Sequence, residues 1–196
     1  MAVLIAPGRT PPGRRARARW TIFAVLAAAL AAGAASAAED KSLEYSVKAA
    51  YLAKFGNFIH WPDSVFTSPA SAINLCVAGE DPFGETLDKA VSGQHVGERP
   101  IAVRRLKTVE RNSGCQILYI AGSSAQSVVQ ALDAVRGASV LTVTDAASDG
   151  NAAGIVRLAL KDNHVRFDID DQAASQCGLT ISSELLKLAL TVKPRK

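Results

Sequence analysis

Apolar residues in the stretch 43–59 fall at Leu43, Val47, Ala50, Tyr51, Phe55, Phe58 and Ile59. Steps of three and four put them on one stripe, which predicts an amphipathic helix with that stripe against a core. Pro62 ends the element, because the residue before a proline is driven out of the helical region. Three later runs are almost wholly apolar and short: AINLCVAG from Ala72, CQILYIAG from Cys115 and ASVLTVTD from Ala138. Such runs suit strands buried on both faces of a sheet. RPIAVRRL, from Arg99, alternates and predicts a strand over 100–106.

Helical patterns lie between the strands. In GEDPFGETLDKAV, Asp81 is placed to cap a helix with Pro82 at its first position. SSAQSVVQALDAV predicts a helix capped by Ser123 or Ser124, and ISSELLKLALTVK one capped by Ser182 or Ser183. GIVRLALKDNHVRFDID breaks the alternation of strand and helix. With Asp162-Asn163 as a two-residue turn, Leu160 faces Val165, Leu158 faces Phe167 and Val156 faces Ile169. The same register sets Arg157 opposite Asp168, Ala159 opposite Arg166 and Lys161 opposite His164. One register sorts both faces into apolar and polar, which predicts a hairpin. The expected fold is therefore α/β: a three-layer sandwich of a mostly parallel sheet with helices on both faces, then a C-terminal β-hairpin followed by a helix.

The N-terminal residues alter the charge picture. Arg9, Arg14, Arg15, Arg17 and Arg19 precede an Ala-rich apolar run ending in Ala35-Ser36-Ala37. Basic start, apolar middle and small-residue end predict a secretory signal peptide cleaved after residue 37, leaving 38–196 as a single domain. The other reading, an uncleaved anchor over 20–38, is barely long enough to span a bilayer. Removing five arginines and no acids from 22 basic and 18 acidic residues turns a net charge of +4 into −1. The mature chain thus has no basic excess to bind nucleic acid, and no direct membrane insertion is expected of it.

Catalytic patterns are scarce. GEDPFGET has the frame of a phosphate-binding loop, but Glu85 occupies the lysine position and would repel phosphate. No G-x-S-x-G or H-E-x-x-H occurs, Ser183 and Lys187 are four apart, and His60, His95 and His164 are scattered. Neither a metal nor a cofactor is expected. Asp145 ends a predicted parallel strand, where α/β sheets place ligands, and can equally cap a loop. With His164 and Arg166 it makes a candidate small-anion site, set against a solvated hairpin face with an Arg157–Asp168 pair. An exported chain meets oxidising conditions, so Cys76 and Cys115 are open to a disulfide if their strands are neighbours. Cys177 is left as a buried apolar residue or a reactive thiol, the second being the basis of a thiol-enzyme reading. The sequence by itself does not fix the pairing.

The blocks VKAAYLAKFGNFIHWP, INLCVAGEDPFGETL, CQILYIAGSS, VLTVTD and NHVRFDID…GLTISSELLKLA, in that order, resemble the YfiR family over roughly 45–190. The resemblance implies a periplasmic, non-enzymatic repressor that binds the periplasmic sensor domain of an inner-membrane diguanylate cyclase, or a similar sensor, and lowers cyclic di-GMP. It implies a structural disulfide at Cys76 and Cys115, which match the family positions, and carries no role over to Cys177. Tyr51 and Phe55 on the first helix and Leu185, Leu186 and Leu188 on the last are the expected partner contacts, and a homodimer is left open. The alternative is a periplasmic protein binding a small anion or metabolite.

Overall fold

The computed structural model describes residues 40–146 and 152–195. The signal segment assigned to 1–37 lies outside the described residues. The chain divides into a segment 1–42 and a compact unit 43–196. No helix among the described residues is long and apolar enough to cross a membrane.

The first helix, α1, is described over 40–55 and continues into a 3-10 turn at Gly56–Phe58. There follow β1 (Ile59–His60), β2 (Ile73–Gly79), α2 (Glu85–Val91), β3 (His95–Val96), β4 (Arg99–Leu106), β5 (Ile117–Gly122), α3 (Val128–Ala134) and β6 (Leu141–Asp145). The last part holds β7 (Val156–Lys161), β8 (His164–Asp170), α4 (Asp171–Gln176), β9 (Thr180–Ile181), α5 (Ser183–Leu188) and β10 (Val192–Lys193). Eight strands make one sheet in the order β10-β8-β7-β6-β5-β2-β4-β3. The run β4, β2, β5, β6, β7 is parallel. β1 and β9 form a separate antiparallel pair.

Strand periodicity splits the core in two. Leu75, Val77, Ile117, Tyr119, Leu141, Val143, Leu158 and Phe167 join residues of α1, α2, α4 and α5 in one cluster. Cys76, Ala78, Leu118 and Ile120 meet Val128 and Ala131 of α3, and Val135 just after it, in the other. The sheet is thus covered on both faces, as the near-continuous apolar strands require. The hairpin register matches the expected one at all six positions, Val156↔Ile169 through Lys161↔His164. Asp162 and Asn163 take φ of 50° and 59°, the left-handed turn that fits strand twist. The Cys76–Cys115 disulfide is formed, with Cα atoms 5.8 Å apart across a separation of 39 residues.

Several local expectations are corrected. Asp81 does not cap α2: its carboxylate accepts from the Phe83 N–H in a turn, and the helix starts four residues later, behind Gly84. Ser127, not Ser123 or Ser124, caps α3, in a capping box with Gln130. The Ser123 hydroxyl instead accepts from Ala125 and Gln126 in the preceding turn. Ser182 caps α5 as expected.

The face of α1 is the largest correction. Leu43 is 67% exposed and Val47 37%, and Ala50 is exposed too. The buried stripe runs through Lys48, Ala49, Leu52, Phe55, Gly56 and Ile59, with Ala53 beside it. The helix is rotated relative to the expectation: Phe55 and Ile59 of the expected stripe stay in the core, with Tyr51 and Phe58 packed against it, while Lys48 and Leu52 take the buried positions expected of Leu43 and Val47.

Candidate functional site

Lys48 is 0% exposed. Its ammonium donates to the carboxylates of Asp145, at the end of β6, and of Glu44, one turn earlier on α1. Periodicity along β6 puts Asp145 on the same side as Leu141 and Val143, the face that α1 covers. The Tyr119 hydroxyl, from β5, lies 3.5 Å from Asp145 Oδ2. Aromatic rings continue the cluster: Tyr119 meets Phe83 edge-on at 4.7 Å between centroids, and Phe83 meets Tyr45 at 5.6 Å. Lys48 Nζ stands 4.8 Å from the Tyr45 ring centroid.

Burial pulls the Lys48 pKa down, but its hydrogen bonds to Asp145 and Glu44 outweigh that, and the net shift is upward. Burial, reinforced by the Asp145 charge, pushes the Tyr119 hydroxyl far above its usual range. Tyr45 is also raised, by burial against the opposing pull of Lys48. All three therefore keep their protons at neutral pH. A charge cluster of this kind contributes little net stability over an apolar one, but losing one partner is expensive.

The cluster lies beneath a crevice that the topology opens. After β2 the chain passes through α2 to β4 on one side of β2, then returns to β5 on the other. The connections after β2 and β5 thus diverge at the carboxyl ends of two neighbouring strands, the position where open α/β sheets bind ligands. Gly79 (φ 93°) and Gly122 (φ 76°) end those strands, and Glu80 N–H donates to Gly122 O at 3.1 Å. A Cβ on Gly79 would sit 2.3 Å from that carbonyl oxygen, so only glycine lets the strand ends approach so closely. Arg105 holds the loop after β2, donating to Asp81 at 2.6 Å, Asp88 at 2.7 Å and Gly84 O at 2.7 Å.

The structure does not bring the expected anion-binding residues together. Val165, Phe167 and Ile169 of β8 point into the cluster under α1, so His164 and Arg166 point to the opposite face of the sheet from Asp145. Asp145 is engaged by Lys48, while His164 and Arg166 are exposed. Of the expected partner contacts, Phe55 is 1% and Leu185 2% exposed, and both belong to the core. Tyr51 is half-buried: it stacks on Phe55 at 6.0 Å, and its hydroxyl donates to Val165 O at 3.4 Å. Leu186 is half-buried, and Leu188 is 66% exposed. Cys177 is half-buried with its thiol pushed up by burial, the reverse of what a nucleophilic cysteine needs. Sequence reasoning missed Lys48, Glu44, Tyr45 and Tyr119. A signal existed: Tyr45, Lys48, Leu52, Phe55 and Ile59 form a stripe as regular as the one chosen, with a lysine inside it.

Fold and site define an α/β domain whose buried ionisable groups are locked in mutual pairs and whose two core cysteines are cross-linked. A family model for YfiR/HmsC-like proteins matches residues 45–190, and the chain belongs to that family. No curated protein matches it. Membership implies a regulatory protein of the periplasm acting on diguanylate cyclase signalling.

Proposed function

We propose that the mature chain, exported by the signal segment 1–37, binds the periplasmic sensor domain of an inner-membrane diguanylate cyclase and represses it. The observation that carries this reading is the family match, which spans nearly the whole compact unit. The repressor binds the sensor conformation of the inactive cyclase better than the active one, and so biases the equilibrium by the difference in affinity. The disulfide supports the assignment to an oxidising compartment.

Leu188, with Leu190 at 43% and Val192 at 36% exposure, gives the C-terminal segment an apolar surface for the partner. Phe55 and Leu185 act from within, by holding α1 and α5 in place. Titrating the purified mature chain onto the cyclase's periplasmic domain tests this. Leu188→Glu is expected to weaken binding with the melting temperature unchanged. Undiminished binding by Leu188→Glu removes this surface from the account, and no binding by the parent chain removes the repressor reading.

A further inference from the structure

We propose that residues 190–195 form a strap that opens as a unit, and that the edge of β8 beneath it is a docking edge for an extended, basic strand. β10 lies at one edge of the sheet and runs parallel to β8. The segment adds little to the core: Ala189, at the end of α5, is the last residue packed against the main cluster, and every residue over 190–195 is exposed. What holds it is polar. The Leu190 N–H donates to Phe167 O at 2.8 Å, and the Ile169 N–H to Thr191 O at 3.0 Å. The Thr191 hydroxyl donates to Asp168 at 2.6 Å, Lys193 to Asp170 at 2.8 Å and Arg195 to Asp171 at 2.9 and 3.1 Å. Exposed hydrogen bonds and ion pairs without apolar burial belong to the low-stability end of a fold, and salt weakens the ion pairs.

The strand under the strap does not depend on it. β8 is seven residues long, buries Val165, Phe167 and Ile169 in the core, and is paired along its other side with β7. Opening the strap therefore leaves β8 in place and bares the Phe167 carbonyl and the Ile169 N–H. Unpaired groups of this kind on a sheet edge are the template on which a further strand adds. Charge selects which strand. Asp170 and Asp171 stand at the end of that edge, and in the closed state Lys193 and Arg195 answer them. An incoming strand with basic residues two apart replaces both pairs, whereas an acidic one meets two carboxylates. The strap is thus the edge's own occupant, and an incoming strand must compete with it.

The proposal is independent of the cyclase reading, and its test uses no cyclase. Ile169 and Asp170 are neighbours whose amides face opposite ways: Ile169 toward the strap, Asp170 toward Ile155 O at 2.8 Å. Amide exchange of the mature chain, followed by NMR, is expected to show Ile169 at least about tenfold less protected than Asp170, with the gap wider in high salt. Lys193→Gln/Arg195→Gln is expected to lower Ile169 protection about fivefold further and to leave Asp170 unmoved; a fold merely destabilised as a whole would move both. A labelled peptide of residues 187–195 is expected to bind this variant about fivefold more tightly than it binds the parent, whose strap is closed more of the time, and a scrambled peptide of the same composition to bind neither. The proposal is overturned if the two amides exchange together, if salt leaves Ile169 unchanged, if the peptide binds the variant no better than the parent, or if the scrambled peptide binds as well.

Discussion

Replacing Lys48 by Met removes a charge but keeps much of the side chain's length and apolar volume, so the change is mainly electrostatic. Two carboxylates lose the cation between them. The Glu44 side chain is 19% exposed and can turn to water, whereas that of Asp145 is 3% exposed and cannot. A carboxylate buried to this degree without its cation is expected to be held neutral. Holding a carboxyl of ordinary pKa near 3.9 protonated costs about 4 kcal/mol at pH 7 and about 1.5 kcal/mol at pH 5. The first figure agrees with the roughly 3–5 kcal/mol typical of breaking a buried ion pair. For a unit of this size, 4 kcal/mol corresponds to a fall of about 10 °C in melting temperature. Urea unfolding of Lys48→Met against the parent, at both pH values, is the assay. The penalty shrinks as the pH falls, because keeping a buried carboxyl neutral costs less the nearer the solution is to the ordinary carboxyl range. Lys48→Met/Asp145→Asn, which removes both charges, recovers most of the loss. A penalty under about 1 kcal/mol, equal at the two pH values, refutes the reasoning: the pair would then behave as a solvated surface bridge.

Other outcomes follow from the same structure. Lys48, Tyr45 and Tyr119 all have raised folded values, so their contribution is complete below the ordinary values of 10.0 and 10.5 and is lost as pH rises beyond them. Alkaline unfolding is expected to begin near pH 10 and to be less steep in Tyr119→Phe. Cys76→Ser is expected to cost about 4 kcal/mol, the loop-closure term for this separation; equal melting of the parent in oxidising and reducing buffer would contradict it. Gly79→Ala, whose Cβ would meet the Gly122 carbonyl, is expected to cost about 3 kcal/mol. Gly137→Ala, at φ 70° with nothing within 4 Å, is expected to cost only about 1 kcal/mol, and equal losses would show that the strand ends relax freely.

The sequence was most legible where one physical rule acted alone. The hairpin was readable to the residue, because a slip of one position would turn Val156, Leu158 and Phe167 to water. The buried parallel strands were readable from continuous apolar runs. Helix ends were less so, since Asp81 and Ser123 have the right chemistry for caps but serve turns just upstream. The short helix α4 has little apolar periodicity, and its buried Asp171 is matched by Arg195, 24 residues away. The site was half legible. Asp145 stood out by its place at a strand end, but Lys48 and Tyr119, which meet it, come from α1 and β5. Assigning them needed the rotation of α1, and a lysine in a helical stripe marks a polar face unless its acidic partner, 97 residues on, is known to lie opposite.

Cellular cyclic di-GMP, measured with this gene deleted and then restored, tests the repressor reading most directly. The account expects a rise on deletion that restoration of the parent gene reverses. An unchanged level in cells shown to express the protein would contradict it.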